Sequence, residues 1–527
     1  MSFKTNIINR ILDIPSAEII ALHQEVISSI NRISELIPSK YNIYNLEKII
    51  MPKAYGYHTI LDTSYYQYHS IKRLIKKSLR SEKISGQLSY KLLQMKKYGI
   101  DRAVRDFKNE IPIDFAINNY SFNNYKDKSY NLFFTGTQTY LRVLILYINQ
   151  SKLNNNLLVI PRFLSKVEVL NDFDNNKLLF YEDFLNEDIL NNYNNAKNEF
   201  SLIFKEKRKY LKEIFLLDSK NFFKIINIGL ENIFNYLLPQ ALLFSLINEN
   251  IYNKINVNNV IGARVRKIYD RASYEIAKKY NINRYVVLHS NIGTDIKFIH
   301  SMGHFNNLTG VFTWGLLQKK LIERDFFSKV DNIFVTGSPL FEKSYKNINN
   351  NSKYDRCILY AATHNDLQEV KELVKITNSL PRTTSLIIKV HPDIDHKPYE
   401  KYIQSEHVKL VPGESSLENL LPQVDLLVTT ISESALQAMI RGVPALFFLF
   451  TERWKKLGYN LYGFDNNEEE QLVINSKESL KKRINELLFS EKYRSVFLKN
   501  QNNFLNKRIR MHSDNNGAAN EIDKILN

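Results

Sequence analysis

From about residue 130 onward, short apolar runs alternate with stretches whose apolar residues recur every three to four positions. YNLFFTG (130–136) reads as a strand, TQTYLRVLILYINQ as a helix, LLVIP (157–161) as a strand and KLLFY (177–181) as a third. Strands separated by helical segments of this length imply a parallel sheet with crossover helices. Residues 184–255 read as largely helical, with Pro239 expected to kink or start a helix. Alternation then resumes with VNNVIGA, the helix of RASYEIAKKY, RYVVLH, and NLTGVFTWG before LLQKKLIE.

In the second half four apolar runs each end in small or polar residues. They are ILYAA before Thr363-His364-Asn365, LIIKV before His391-Pro392-Asp393, VKLVP before Gly413-Glu414-Ser415-Ser416, and LLVTT before Ile431-Ser432-Glu433-Ser434. In an open parallel sheet ligands bind beyond the carboxyl ends of the strands, so these four loops should converge on one site. The pattern predicts an α/β protein of four parts. Residues 1–120 form a helical accessory region, which includes the amphipathic IPSAEIIALHQEVISSINRISELI. Residues 121–330 form a first Rossmann-like domain with a helical insertion, 331–356 a linker containing IFVTGSP and an Asn-rich tract, and 357–527 a second Rossmann-like domain.

With 527 residues, 44% of them hydrophobic and 24% charged, the chain has the composition of a multidomain globular protein. Its one cysteine, Cys357, excludes an internal disulfide framework and a cysteine-rich metal site. No apolar run of spanning length and no leader-like amino terminus is evident, so a cytoplasmic location is expected. The formal charge of +17 favours encounter with anions without choosing among them. Lys72, Arg73, Lys76, Lys77 and Arg80, interleaved with Ile71, Leu74, Ile75 and Leu79, would suit either a solvated helix or docking at an anionic membrane surface. Abundant Asn, Ile, Lys and Tyr read as compositional drift rather than functional demand.

The chemistry of the four loops is that of phosphate recognition, because helix N-termini there offer N–H groups and a positive dipole end while hydroxyls and imidazoles add donors. His391 is biased away from helix by Pro392. Ser432 and Ser434 open a helix where one could be an ordinary N-cap, and Ser415 and Ser416 show the same ambiguity, with Glu418 placed to complete a capping box or meet a sugar hydroxyl. Thr363 and His364 complete the candidate donor-phosphate and nucleotide-binding set. No HExxH, cysteine pair or DxD-like carboxylate set accompanies His289, His300 and His304, so no metal is expected; Asp393, Asp395 and Glu414, the carboxylates nearest the loops, suit solvation better than Mg2+. Walker A, GxGxxG and GxSxG patterns are also absent, which argues against P-loop NTPases, dinucleotide oxidoreductases and α/β-hydrolases; no cofactor is expected.

LIIKVHPD followed by QVDLLVTTISESALQAMIRGVPALFF resembles the second domain of GT-B glycosyltransferases that build bacterial surface polymers. These include the polysialyltransferase and capsular ulosonic-acid transferase group and the glycerophosphotransferases of teichoic-acid synthesis. RYVVLHSNIG resembles their "QHG" strand end, GVFTWGLLQKKLI their "vWG" segment, FVTGSPLFEK their "GxP" linker, and DNNGAANEIDKIL their closing helix. The resemblance implies a GT-B architecture of two Rossmann-like domains facing a cleft, with acceptor mainly on the first, donor on the second, and no obligatory metal. It implies that His391 and Pro392 contact the donor phosphate and that Ser432 and Ser434 correspond to the phosphate-binding serine pair, with Glu433 inserted between them. Leu288-His289-Ser290 stands where the family has "QHG", so His289 alone is retained.

The expected function is transfer of a sugar from a nucleotide-sugar donor, an ulosonic acid from a CMP-linked donor being one that the resemblance allows, to a bacterial surface glycan such as capsule or lipopolysaccharide. Such transfer needs stabilisation of the leaving phosphate and a base for the acceptor hydroxyl, for which His289 and Asp295 are the nominees. A glycan or lipid-linked glycan acceptor and an anionic membrane surface at the inner face of the plasma membrane are the expected partners; nucleic acid is not. A polyol-phosphate transferase, a hydrolysing nucleotide-sugar epimerase and a non-catalytic glycan-binding scaffold stay open as alternatives.

Overall fold

The computed structural model describes residues 32–50 and 122–527 with internal gaps, the longest being 222–230, 291–307, 324–329 and 342–354. Most of the expected accessory region, including the basic segment at 72–80, lies outside the described residues, as do Asp295, His364, Pro392 and Ser416.

Seven parallel strands form the first sheet: β1 (Tyr130–Phe134), β2 (Asn156–Ile160), β3 (Leu178–Phe180), β4 (Val257–Gly262), β5 (Asn283–Val287), β6 (Leu308–Thr313) and β7 (Val330–Val335). Their spatial order is β3-β2-β1-β4-β5-β6-β7, so the direction of winding reverses between β1 and β4. Side chains alternate across this sheet. Leu132, Phe134, Val159 and Val260 face one apolar layer, while Phe133, Leu158, Ile160 and Ile261 face the other. The second layer is closed by α1 (Gln138–Gln150) through Leu141, Leu144 and Tyr147. The insertion supplies α2 (Glu187–Glu206), whose start is fixed by the Asn186 side chain accepting the Ile189 N–H at 2.8 Å, and α3 (Leu238–Lys254), where Pro239 stands at the helix start. The apolar residues of α3 are buried almost all round, as a helix in the middle of a layer must be. Beside it lies α4 (Ile268–Lys279).

The strand β7 corrects the expected linker, which was placed from 331. Val330–Val335 pairs with β6 and is the edge of the first sheet. Its exposed Asp331 and Asn332 made it look like a connection, because an edge strand has only one neighbour and shows water more of its surface.

The second sheet has six parallel strands: β8 (Arg356–Ala361), β9 (Thr384–Lys389), β10 (Val408–Val411), β11 (Leu426–Thr429), β12 (Ala445–Phe448) and β13 (Val473–Ile474). Their order, β10-β9-β8-β11-β12-β13, again reverses at one point, between β8 and β11. After α5 (Leu316–Glu323) in the first lobe come α6 (Leu367–Asn378), α7 (Ser434–Ile440), α8 (Lys477–Phe489) and α9 (Glu491–Arg508) in the second. The last helix, α10 (Gly517–Leu526), packs on the first sheet through Ala519, Ile522 and Leu526, and its buried Asp523 accepts from Ser151 Oγ at 2.7 Å and Lys152 N at 2.8 Å. Two doubly wound sheets, joined by a tail that crosses back to the first, form the GT-B architecture.

The tail has a built seat. A Cβ on Gly315 would lie 2.2 Å from the Arg508 carbonyl oxygen, and Arg510 N donates to Trp314 O at 2.6 Å. Gly337 adopts φ +84° beneath the Arg510 carbonyl, and the His512 ring meets Thr336 O at 2.7 Å. The "vWG" and "GxP" motifs therefore hold the crossing chain.

Near the amino-terminal ends of four adjacent strands lies a ladder of asparagines. Asn131 donates to Asn156 Oδ1 at 3.0 Å, Asn259 to Asn131 Oδ1 at 2.7 Å, and Asn283 to Asn259 Oδ1 at 3.1 Å. Asn259 also donates to the Leu526 carbonyl at 2.9 Å, which ties the closing helix to the ladder. At these positions the asparagine amides are hydrogen-bonded to one another across the sheet.

Candidate active site

The carboxyl ends of the two sheets meet across a cleft. This is seen directly in the ion pair between Arg142, in the second turn of α1 after β1, and Glu418, beyond the end of β10. Glu418 thus joins the lobes.

On the second lobe the winding reversal between β8 and β11 is pinned by a 2.5 Å hydrogen bond between the Thr363 and Thr430 hydroxyls. Asp366, fully buried, accepts from Thr363 N at 2.5 Å, Tyr360 OH at 3.0 Å and Tyr399 OH at 2.8 Å. Burial raises the carboxyl pKa and these donors oppose the rise. The Thr363 hydroxyl is thereby engaged within the fold. His391 follows β9, whose last residue Lys389 donates to the Gly413 carbonyl at 3.0 Å and so ties the His391 loop to the Ser415 loop. Ser415 closes its turn by donating its N–H to Pro412 O at 3.2 Å.

The serine pair is asymmetric. Ser432 Oγ accepts the Ser434 N–H at 3.2 Å, and the two hydroxyls lie 2.8 Å apart. The position preceding α7 is Glu433, whose side chain makes no cap. Ser432 therefore shapes the turn while Ser434 opens the helix. Tyr462 OH supports the turn from behind by donating to Ser432 O at 3.0 Å.

On the first lobe His289 lies just past β5. Its Nδ1 faces the Ala263 carbonyl at 3.1 Å, so Nδ1 carries the proton and Nε2 is left as the acceptor. Burial first, then the neighbouring Arg264 charge, push its pKa down to about 3 against the Ala263 hydrogen bond, so the ring is neutral at ordinary pH. Trp314 Nε1 donates to Leu288 O at 2.8 Å and Gln318 Nε2 to Ser290 O at 3.4 Å, holding the backbone on both sides of the ring. The Tyr140 ring lies 4.3 Å from the imidazole, and Arg264 donates to Tyr140 OH at 2.8 Å. Tyr140, Arg142 and Arg264 were not singled out in the sequence. The strand-end rule applied to VNNVIGA would have found Arg264, two residues beyond β4.

Among the described residues no three His, Cys, Asp or Glu side chains converge as a metal site. Asp395 accepts the Lys397 N–H at 3.0 Å, closing a local turn. No helix among the described residues is long and apolar enough to cross a membrane.

Set against known proteins, the segment that carries the second-lobe loops has a clear relative. Residues 317–447 match the CDP-glycerol:poly(glycerophosphate) glycerophosphotransferase family. The resemblance read from LIIKVHPD and the VTTISESA segment is borne out by this match. Among solved structures, a glycosyltransferase from Rickettsia africae ESF-5 is similar at 12% identity and TM-score 0.46, over 76% of this chain and 98% of that one. UDP-GlcNAc 2-epimerase from Methanocaldococcus jannaschii is similar at 13% identity and TM-score 0.45, over 76% of this chain and 99% of that one. A UGT transferase from Siraitia grosvenorii in complex with UDP gives 10% identity and TM-score 0.45, over 76% and 100%. Comparison with curated proteins gave no match.

Proposed function

We propose that the protein transfers a group from a nucleotide-linked donor on the second lobe to a hydroxyl of a surface-glycan acceptor on the first. The reading is supported by the Arg142–Glu418 ion pair, which joins the strand-end loops of the two lobes, together with the phosphate-type residues His391, Ser415, Ser432 and Ser434 on one lobe and the neutral, rigidly held imidazole of His289 on the other. His391 and the serine hydroxyls would donate to the leaving phosphate, and His289 Nε2 would take the acceptor proton as the new bond forms. Pro392 keeps the donor-phosphate contact that the resemblance implies, Asp295 is the alternative base, and His364 and Ser416 complete the phosphate-type loops.

Two donors suit this machinery. In sugar transfer, an acceptor oxygen bonds to the anomeric carbon of a CMP-ulosonate and the bond to the phosphate breaks. In polyol-phosphate transfer, which the family match favours, the acceptor oxygen bonds to the β-phosphorus of a CDP-polyol and the bridging P–O bond breaks. Both release CMP. Incubation with CMP-linked ulosonates and with CDP-glycerol, scored for CMP release with and without a glycan acceptor, decides between them. Turnover is expected to persist in EDTA. No CMP release and no nucleotide binding with either donor would defeat the proposal.

A further inference from the structure

Arg264 has no acidic partner among the described residues, unlike Arg142, Arg162, Arg356, Arg508 and Arg510, each of which pairs with a carboxylate. One guanidinium nitrogen donates to Tyr140 OH at 2.8 Å, while Nε is buried with no hydrogen-bond partner. A buried charged N–H left without an acceptor is costly, and native sites that keep one commonly supply its acceptor from outside the chain. The position is specific too. Arg264 follows β4, His289 follows β5 and Tyr140 lies on the helix after β1, so all three gather at the winding reversal of the first sheet, on its cleft side. Tyr140 OH, having accepted from Arg264, keeps its own proton to donate.

We infer that Arg264 and Tyr140 form an oxyanion subsite on the first lobe, which binds a phosphate or carboxylate of the acceptor beside the hydroxyl that His289 receives. The inference rests on the proposed transfer reaction and adds the acceptor's chemical class: a hydroxylated molecule carrying an anion within a few bonds of its nucleophile. The neutral state of His289 fits the same arrangement, since a cationic ring beside a guanidinium that meets no carboxylate among the described residues would be repelled. A guanidinium presents a planar fork suited to oxyanions, and a lysine there would hold the charge without the fork.

The test is calorimetric titration of the full chain with sn-glycerol 3-phosphate, with N-acetylneuraminate and with glycerol, for wild type, Arg264→Gln and Arg264→Lys. Thermal melts confirm that each variant is folded. Wild type is expected to bind at least one anion and to bind glycerol far more weakly. Arg264→Gln should weaken the anion on the order of tenfold, with Arg264→Lys between them. Which anion binds distinguishes a phosphate-bearing from a carboxylate-bearing acceptor. Saturation with the anion should also shift the His289 imidazole resonances, which a purely structural arginine would not produce. Anion affinity in a folded Arg264→Gln within twofold of wild type, or glycerol bound as well as either anion, would overturn the subsite. CDP binding, measured in parallel, reports on the second lobe: its absence would count against the transfer reaction, while the anion titration still judges Arg264.

Discussion

Replacing Asn131 with alanine tests whether the asparagine ladder is an energetic element of the first lobe. Asn131 is buried and uses both ends of its amide, donating to Asn156 Oδ1 at 3.0 Å and accepting from Asn259 Nδ2 at 2.7 Å. Its removal leaves the Asn156 carbonyl oxygen without its donor and one Asn259 N–H without an acceptor, both inside the sheet. Each orphaned group costs about 1–3 kcal/mol, so a loss of roughly 3 kcal/mol is expected. Asn283→Ala, at the exposed end of the ladder, removes one bond near water and should cost under about 1 kcal/mol. The chain has two tryptophans, Trp314 in the first lobe and Trp454 in the second. Urea unfolding followed by fluorescence in a Trp454→Phe background therefore reports the first lobe. The ladder lies at the end of the sheet away from the cleft, so nucleotide affinity of the folded protein should not move. A loss below about 1 kcal/mol for Asn131→Ala, or equal losses for the two variants, would show that water or relaxation replaces the bonds and that the ladder is incidental.

His391→Ala should lower turnover with the correct donor by about 100- to 1000-fold with the fold intact, the usual effect of removing a donor to a developing anion; near wild-type turnover would take His391 out of the site. Ser432→Ala should cost about 1 kcal/mol of stability because it breaks the turn before α7, whereas Ser434→Ala should weaken nucleotide binding with little loss of stability. Unchanged affinity in both variants would contradict a phosphate role for the pair. With His289 held near pKa 3, well below the ordinary histidine value, the folded ring takes up its proton only as pH falls toward 3, so kcat/KM should show no His289 ionisation between pH 5 and 8. The unfolded chain protonates this residue first, so its contribution to stability is present above about pH 6.5 and is lost as pH falls from there toward 3. An acid limb near pH 6.5 that disappears in His289→Gln would refute the assignment.

Periodicity alone located the central strands of both sheets. Runs such as LLVIP and LIIKV are apolar on both faces because parallel strands between helix layers meet no water, and the helical segments between them leave parallel crossover as the connection. The strand-end rule then pointed to Thr363, His391, Ser415 and Ser432 without any coordinates. Tertiary structure decided what each one touches. The Thr363 hydroxyl is bound within the fold by Thr430 and Asp366, Glu418 reaches Arg142 on the other lobe, and Ser432 shapes a turn rather than capping a helix. Thr430 lies 67 residues from Thr363 and Arg142 lies 276 from Glu418. Periodicity reports how a residue faces its own element, but a contact between distant segments depends on how the elements pack. The same reason hid β7, whose edge position exposes polar side chains, and the ladder, where asparagines scattered over four strands become neighbours only once the register is set. Arg264 is the clearest case: an arginine after a strand looks ordinary in sequence, and only the packed lobe shows that no carboxylate among the described residues comes to meet it.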